Sequence, residues 1–137
     1  MKAEQSSLYR HLETLHFWAL ETFENVPKNT ALQTDVKLVV ENIVQAQTAV
    51  AMALLTENLK QKVDFLDVVG MSITNVKTIT KVLTEFSSSL ERGKHVISKK
   101  SRIRLLDIMS QVSEELGRWR NKTLSEIRKI DAATLPD

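Results

Sequence analysis

The sequence predicts an all-α fold, an antiparallel up-and-down four-helix bundle, on three observations. Only three glycines and two prolines occur in 137 residues, so few tight turns are available for β-hairpins. Apolar residues recur at steps of three and four along most of the chain, which is the period of an amphipathic helix. The breaks between these stretches, at Pro27 and Gly93 for example, are short, and short connections favour antiparallel neighbours.

Four helices are predicted, at about residues 5–26, 31–56, 59–92 and 99–130, and together they form one domain over residues 1–137. Pro27 ends the first helix because proline has no backbone N–H and cannot continue a helix. Each helix carries one apolar seam that we expect to face the core. The inward residues are Leu8, Leu12, Leu15, Ala19, Phe23 and Val26; Leu32, Val36, Val39, Ile43, Ala46, Val50 and Ala53; Leu59, Val63, Leu66, Val69, Ile73, Val76, Leu83, Phe86 and Leu90; and Leu105, Met109, Val112, Leu116 and Trp119.

Polar residues at the helix starts support these boundaries. Thr30 with Gln33, and Asn58 with Gln61, fit the capping-box spacing, in which a side chain satisfies a free amide of the first turn. Ser98 is the predicted cap of the fourth helix. Gly93 can take the left-handed conformation that ends the third helix.

Two glycines lie inside predicted helices, where each costs about 1 kcal/mol relative to alanine. We expect Gly70 to permit the close approach of another backbone. Gly117 lies one position outside the fourth seam, where a neighbouring helix, or an indole of an adjoining subunit, would approach the backbone. Gly70, Gly117 and the inward Trp119 are therefore assigned to packing or assembly.

Catalytic and metal-binding patterns are weak in this sequence. There is no cysteine, no glycine-rich phosphate loop and no Gly-x-Ser-x-Gly turn. Glu13 with His16 makes one Glu-x-x-His unit, whereas a carboxylate di-metal site in a bundle needs two. His11 and His16 are five residues apart and do not share a helix face. We expect no metal, no cofactor and no enzymatic activity.

Membrane insertion and secretion are not expected. The first residues contain no apolar signal region, and the longest apolar run, residues 49–55, is far shorter than the roughly 20 residues of a membrane helix. The cytoplasm is the default location for such a chain.

Charge is unevenly distributed along the chain. The net charge is only +2, but residues 1–91 hold 8 basic and 11 acidic side chains, whereas residues 92–137 hold 11 and 6. At about 100° per residue, six polar residues of the fourth helix fall within a sector of about 40° beside the seam. They are Lys100, Arg104, Gln111, Arg118, Lys122 and Lys129.

Lys77 and Lys81 of the third helix also flank an apolar seam. Clustered Lys and Arg side chains suit phosphate backbones and make binding sensitive to salt. We therefore predict a nucleic-acid or partner surface at Lys77, Lys81, Lys100, Arg104, Arg118, Lys122 and Lys129. Two other interpretations stay open: a solvated helix edge, or a surface that pairs with acidic residues of a neighbouring subunit.

The segment VISKKSRIRLLDIMSQVSEELGRW, residues 96–119, resembles the accessory variability determinants of diversity-generating retroelements, which are related to ribosomal-RNA intervening-sequence proteins. It follows the closing pattern of that family, Ile-Ser-x-Lys, then spaced apolar residues and Leu-Gly-x-Trp. The VPK at residues 26–28 is similar to the family's Phe-Pro-Lys, and Lys77 and Lys81 occupy positions where the family often has two arginines.

This resemblance implies a non-enzymatic, barrel-shaped homopentamer with basic outer surfaces. Such a protein would bind a reverse transcriptase and its template RNA, or an RNA/DNA product, during mutagenic cDNA synthesis. The alternative is a general protein-interaction bundle in which the basic edge serves oligomer contacts.

Overall fold

The computed structural model describes residues 3–28, 31–90 and 97–134. Within these ranges the chain contains four α-helices and no β-strand, which confirms the prediction of an all-α, four-helix fold. The helices are α1 (Ala3–Thr22), α2 (Ala31–Leu55), α3 (Leu59–Leu90) and α4 (Lys99–Thr134).

The core contains the apolar seams that the periodicity predicts. Every predicted inward residue of α2 and α4 is buried, as are the six predicted around α1. On α3 the seam is buried from Leu66 to Leu83, whereas Leu59 and Val63 are only half-buried. The predicted inward side chains of Phe86 and Leu90 lie outside the described part. Burial of a large aliphatic side chain stabilises the fold by about 1.5–3 kcal/mol, so these seams dominate the folding energy.

The helices pack as a closed ring of neighbours. α1 lies beside α2 and α4, and α3 lies beside α2 and α4, while no Cα atoms of the diagonal pairs come within 8 Å of each other among the described residues. Contacts between α1 and α4 join Ser7 to Glu115 at one end and Glu21 to Arg104 at the other. Residue numbers therefore rise along α1 as they fall along α4. Two of the other three neighbouring pairs show the same order: α2–α3 in Asn42–Asn75 and Ala53–Lys62, and α3–α4 in Lys77–Ser113 and Asp67–Arg120.

Two helix ends differ from the predicted bounds. α1 ends at Thr22 rather than near residue 26, and the N–H of Val26 donates to the carbonyl of Phe23 at 3.2 Å in a tighter turn. Proline disfavours helical backbone at the preceding residue, so the chain leaves the helix before Pro27. Phe23 and Val26 nevertheless stay buried. α4 continues to Thr134 through two alanines, which have the highest helix propensity.

The caps of α3 and α4 form at the predicted residues, although the Gln61 side chain accepts a hydrogen bond from Thr56 Oγ1 at 3.1 Å rather than from the Asn58 amide. Asn58 Oδ1 accepts a hydrogen bond from the N–H of Gln61 at 3.0 Å, and Ser98 Oγ accepts one from the N–H of Ser101 at 3.1 Å. Each bond satisfies an amide that has no partner within the helix. The predicted cap Thr30 and the predicted stop Gly93 lie outside the described residues.

The surroundings of Gly70 differ from the expectation. A Cβ built on Gly70 would lie 3.6 Å from Leu116 Cδ2, an ordinary van der Waals distance, and no backbone of another helix is within 4 Å. Within the described chain the expected close approach of another backbone to Gly70 is not found, and the Leu116 side chain is the neighbour instead. A Cβ on Gly117 would meet no atom of this chain within 4 Å.

The helix α2 is long and apolar enough, by length and composition alone, to cross a membrane, and 33% of that stretch is buried inside the bundle. A core helix of a soluble bundle has the same composition. This observation is weak evidence for membrane insertion.

We predict that Gly70→Ala raises the free energy of unfolding by about 1 kcal/mol, because alanine has the higher helix propensity and its methyl group fits beside Leu116. Urea denaturation followed by circular dichroism measures the change. A loss of stability would mean that the contact with Leu116 cannot accommodate the methyl group.

Candidate nucleic-acid interface

The rotation of α4 is fixed by its buried seam, which leaves two lateral edges beside the core. Arg104 marks the edge toward α1, because its guanidinium lies 5.3 Å from the centre of the Trp18 ring. Its Nη1 is also 4.0 Å from Glu21 Oε1. Arg120 marks the edge toward α3, because its Nε donates to Asp67 Oδ1 at 2.7 Å.

Five basic residues lie on one side of α4, between its α1 edge and its exposed outer face, and we call this set the α4 basic row. At about 100° per residue the other four lie within about 40° of Arg104. Arg104 is half-buried, whereas these four side chains are exposed. The members are Lys100, Arg104, Arg118, Lys122 and Lys129.

Charge compensation within the α4 basic row is incomplete. Arg118 Nη1 lies 3.1 Å from Glu114 Oε1 one turn earlier, but the two side chains are 56% and 71% exposed. An exposed pair of this kind contributes about 0–1 kcal/mol and exchanges readily for another anion. Among the described residues, Lys100, Lys122 and Lys129 have no carboxylate within 4 Å.

The structure separates Lys77 and Lys81 from the α4 basic row. Lys77 Nζ donates to Ser113 Oγ at 3.0 Å, and Ser113 lies on the α3 edge of α4. The seven predicted basic residues therefore form two separate surfaces: the α4 basic row, and a pair on α3 that lies beside the other edge of α4. Trp119 is buried, and it belongs to the core rather than to either edge.

A crevice between α3 and α4 contains a basic residue that the sequence analysis did not select. This space, which we call the α3–α4 crevice, has a volume of about 380 Å³. Arg102 joins Lys77 and Lys81 there, although it lies only two residues from Lys100 and Arg104. Two residues correspond to about 200° of helix rotation, so projection of the helix onto a circle would have separated Arg102 from the row. The lining residues are Lys77, Thr80, Lys81, Thr84, Glu85, Arg102 and Leu106.

Thr80 gives the crevice an unusual polar group. The residue is 3% exposed, and its buried hydroxyl oxygen has no hydrogen-bond partner. Buried polar groups are normally paired, and an unpaired one costs about 1–3 kcal/mol.

A second polar cluster connects α1 to α4. Glu115 Oε1 accepts a hydrogen bond from Ser7 Oγ at 3.2 Å and lies 2.6 Å from His11 Nδ1. The His11 contact has the distance of an ion pair but lacks hydrogen-bond geometry. Because it crosses between two helices near the core, this cluster helps to fix the register of α1 on α4. Across residues 3–28, 31–90 and 97–134, no three His, Cys, Asp or Glu side chains are grouped as metal ligands would be.

No protein-family model, curated protein or solved structure matches this chain. The binding properties of the surface therefore have to be inferred from the positions and charges of its own residues. Exposed ammonium and guanidinium groups on both edges of one long helix can bind phosphate or carboxylate groups.

We predict that Thr80→Val raises the free energy of unfolding by about 1 kcal/mol, because valine keeps the shape and removes the unpaired hydroxyl. Thr123→Val is the matched control. Its buried hydroxyl donates to the carbonyl of Trp119 at 3.0 Å, so its removal gains less. Equal changes in the two thermal midpoints would contradict the assignment.

Proposed function

We propose that this chain is a non-catalytic accessory protein of a diversity-generating retroelement that binds RNA and a reverse transcriptase. The observation that carries the proposal is the α4 basic row, with three lysines that have no carboxylate partner among the described residues. A helix edge of this kind matches a phosphate backbone without reading its sequence. The family resemblance of residues 96–119 supplies the retroelement context.

The charge of α4 supports an anionic partner. α4 contains nine basic and five acidic residues, a net charge of +4, although the whole chain carries only +2. Removal of counterions from the phosphates would drive binding, and the affinity would fall as salt rises. Only five Phe and Tyr residues and two tryptophans occur in the chain, and no aromatic residue of α4 other than the buried Trp119 is available for base stacking.

The proposed assembly is an antiparallel, up-and-down bundle that forms a barrel-shaped homopentamer in the cytoplasm. The order of the inter-helix contacts supports the antiparallel arrangement. Large apolar side chains are exposed on several helices of a single chain, and subunit contacts in such a ring would cover some of them. Phe17 is 63% exposed, Met71 68% and Leu55 79%. A ring would present five copies of the α4 basic row to one RNA and raise the effective concentration of each.

The same apolar exposure favours one alternative function, a general protein-interaction bundle without a role in nucleic-acid binding. In that case the α4 basic row would contact acidic residues of another subunit. Charge reversal on α4 would then change the molecular mass of the assembly in light scattering and leave any RNA affinity unchanged.

We predict that replacing Lys100, Arg118, Lys122 and Lys129 by glutamine weakens binding to structured RNA about tenfold to a hundredfold at moderate salt. Each phosphate contact contributes about 0.7–0.9 to the slope of log affinity against log salt, so the slope should fall by about 3. Fluorescence anisotropy over a salt series measures both quantities.

The matched control removes the same number of exposed charges elsewhere, with Arg10, Lys28, Lys37 and Lys60 replaced by glutamine. This variant should keep most of the RNA affinity. Equal losses in the two variants, or an absence of RNA binding by the unmodified chain, would overturn the RNA proposal. Failure to co-purify with a reverse transcriptase encoded beside its gene would remove the retroelement context.

We predict that Gly117→Leu disrupts the assembly and leaves the helical content unchanged, because an added Cβ meets no other part of the described chain within 4 Å and the side chain would point toward a neighbouring subunit. Light scattering coupled to size-exclusion chromatography should show a loss of mass. Glu41→Leu, at an exposed position of α2, is the control. An unchanged mass for Gly117→Leu would contradict a role of Gly117 in subunit contacts.

A further inference from the structure

The α3–α4 crevice brings three cationic side chains from two helices to one concave site. Lys77 and Lys81 come from successive turns of α3, and Arg102 comes from the first turn of α4. Leu106 and Thr80 contribute apolar and buried surface to the same site. The arrangement differs from the α4 basic row, which is a line of side chains on a convex edge.

The described residues compensate the positive charge in the crevice only in part. Glu85 is the one carboxylate among the described lining residues, and it makes no ion pair with the three cations. Lys77 donates to the neutral hydroxyl of Ser113 rather than to a carboxylate. Arg120, farther along the same edge of α4, is by contrast paired with Asp67. The site therefore carries a formal charge of about +2 that is available to a ligand.

The shape of the crevice strengthens this charge. Field lines from several cations concentrate in a concave site with low-dielectric walls, so an anion binds more tightly there than on an open helix face. Arg102 has a planar set of N–H donors that pairs with two oxygens of one phosphate, and the two lysines act as mobile point charges.

We propose that the α3–α4 crevice binds one phosphate group between Lys77, Lys81 and Arg102. A phosphate is favoured over a carboxylate because its several oxygens can accept donors that approach from two helices at once. This proposal rests on the proposed function in one respect only: the phosphate is taken to belong to the backbone of a bound RNA. The RNA would then contact both edges of α4.

Four single substitutions test the crevice in the full-length chain. Arg102→Gln and Lys81→Gln should each lower the affinity for a labelled single-stranded RNA about threefold and reduce the salt slope by about 0.7. Glu85→Gln should raise the affinity, because it removes a negative charge from the same site. Arg128→Gln, on the exposed outer face of α4, is the matched control and should change both quantities less.

A titration of the unmodified chain with inorganic pyrophosphate, followed by amide chemical shifts, tests the site without RNA. We expect the shifts to change at residues 77–85 and 102–106. If RNA binds but the crevice variants behave like Arg128→Gln, the crevice proposal is overturned and the proposed function stands. If pyrophosphate shifts these residues but RNA does not bind, the crevice is a site for free phosphate and the proposed function falls. If neither ligand binds, both proposals fall.

Discussion

The buried seam of α4 is the constraint on which the rest of the surface depends. Leu105, Met109, Val112, Leu116 and Trp119 are all buried, so the helix cannot rotate without exposing apolar area. A rotation that exposed one such side chain would cost about 1.5–3 kcal/mol. Once that face is fixed, residues about 90° to either side must lie toward α1 or toward α3. The seam thereby decides which basic side chains share an edge.

Contacts within the chain then determine which basic side chains already have a partner and which remain free to bind an anion. On the α1 edge, Arg104 is held by the Trp18 ring and by Glu21, while the lysines of the same row remain exposed. On the α3 edge, Arg120 is neutralised by Asp67, whereas Arg102 faces the α3–α4 crevice with Lys77 and Lys81. The number of basic side chains of α4 that are available to an anion is therefore smaller than the number in its sequence. These available side chains are divided between the convex α4 basic row and the concave α3–α4 crevice.

The periodic seams and the caps could be predicted from the sequence because both depend on residues three or four positions apart. α1 ends at Thr22, although Phe23 and Val26 beyond its end are still buried in the core. Their apolar spacing continues the helical period, so the sequence pattern alone could not show that the helix ends before them. The side chain beside Gly70 and the grouping of Arg102 with Lys77 depend on how α3 sits against α4. Such inter-helix registers follow from side-chain packing across the core, which one helix pattern alone does not specify.

Lysine footprinting can show whether the α4 basic row contacts a phosphate backbone. The chain is treated with an amine-reactive reagent with and without structured RNA, and the modified lysines are identified by mass spectrometry. The account predicts that RNA protects Lys100, Lys122 and Lys129, whereas Lys37 and Lys60 stay equally reactive because they lie on other helices. Equal reactivity of all five lysines with and without RNA, or protection of Lys37 and Lys60 alone, would contradict it.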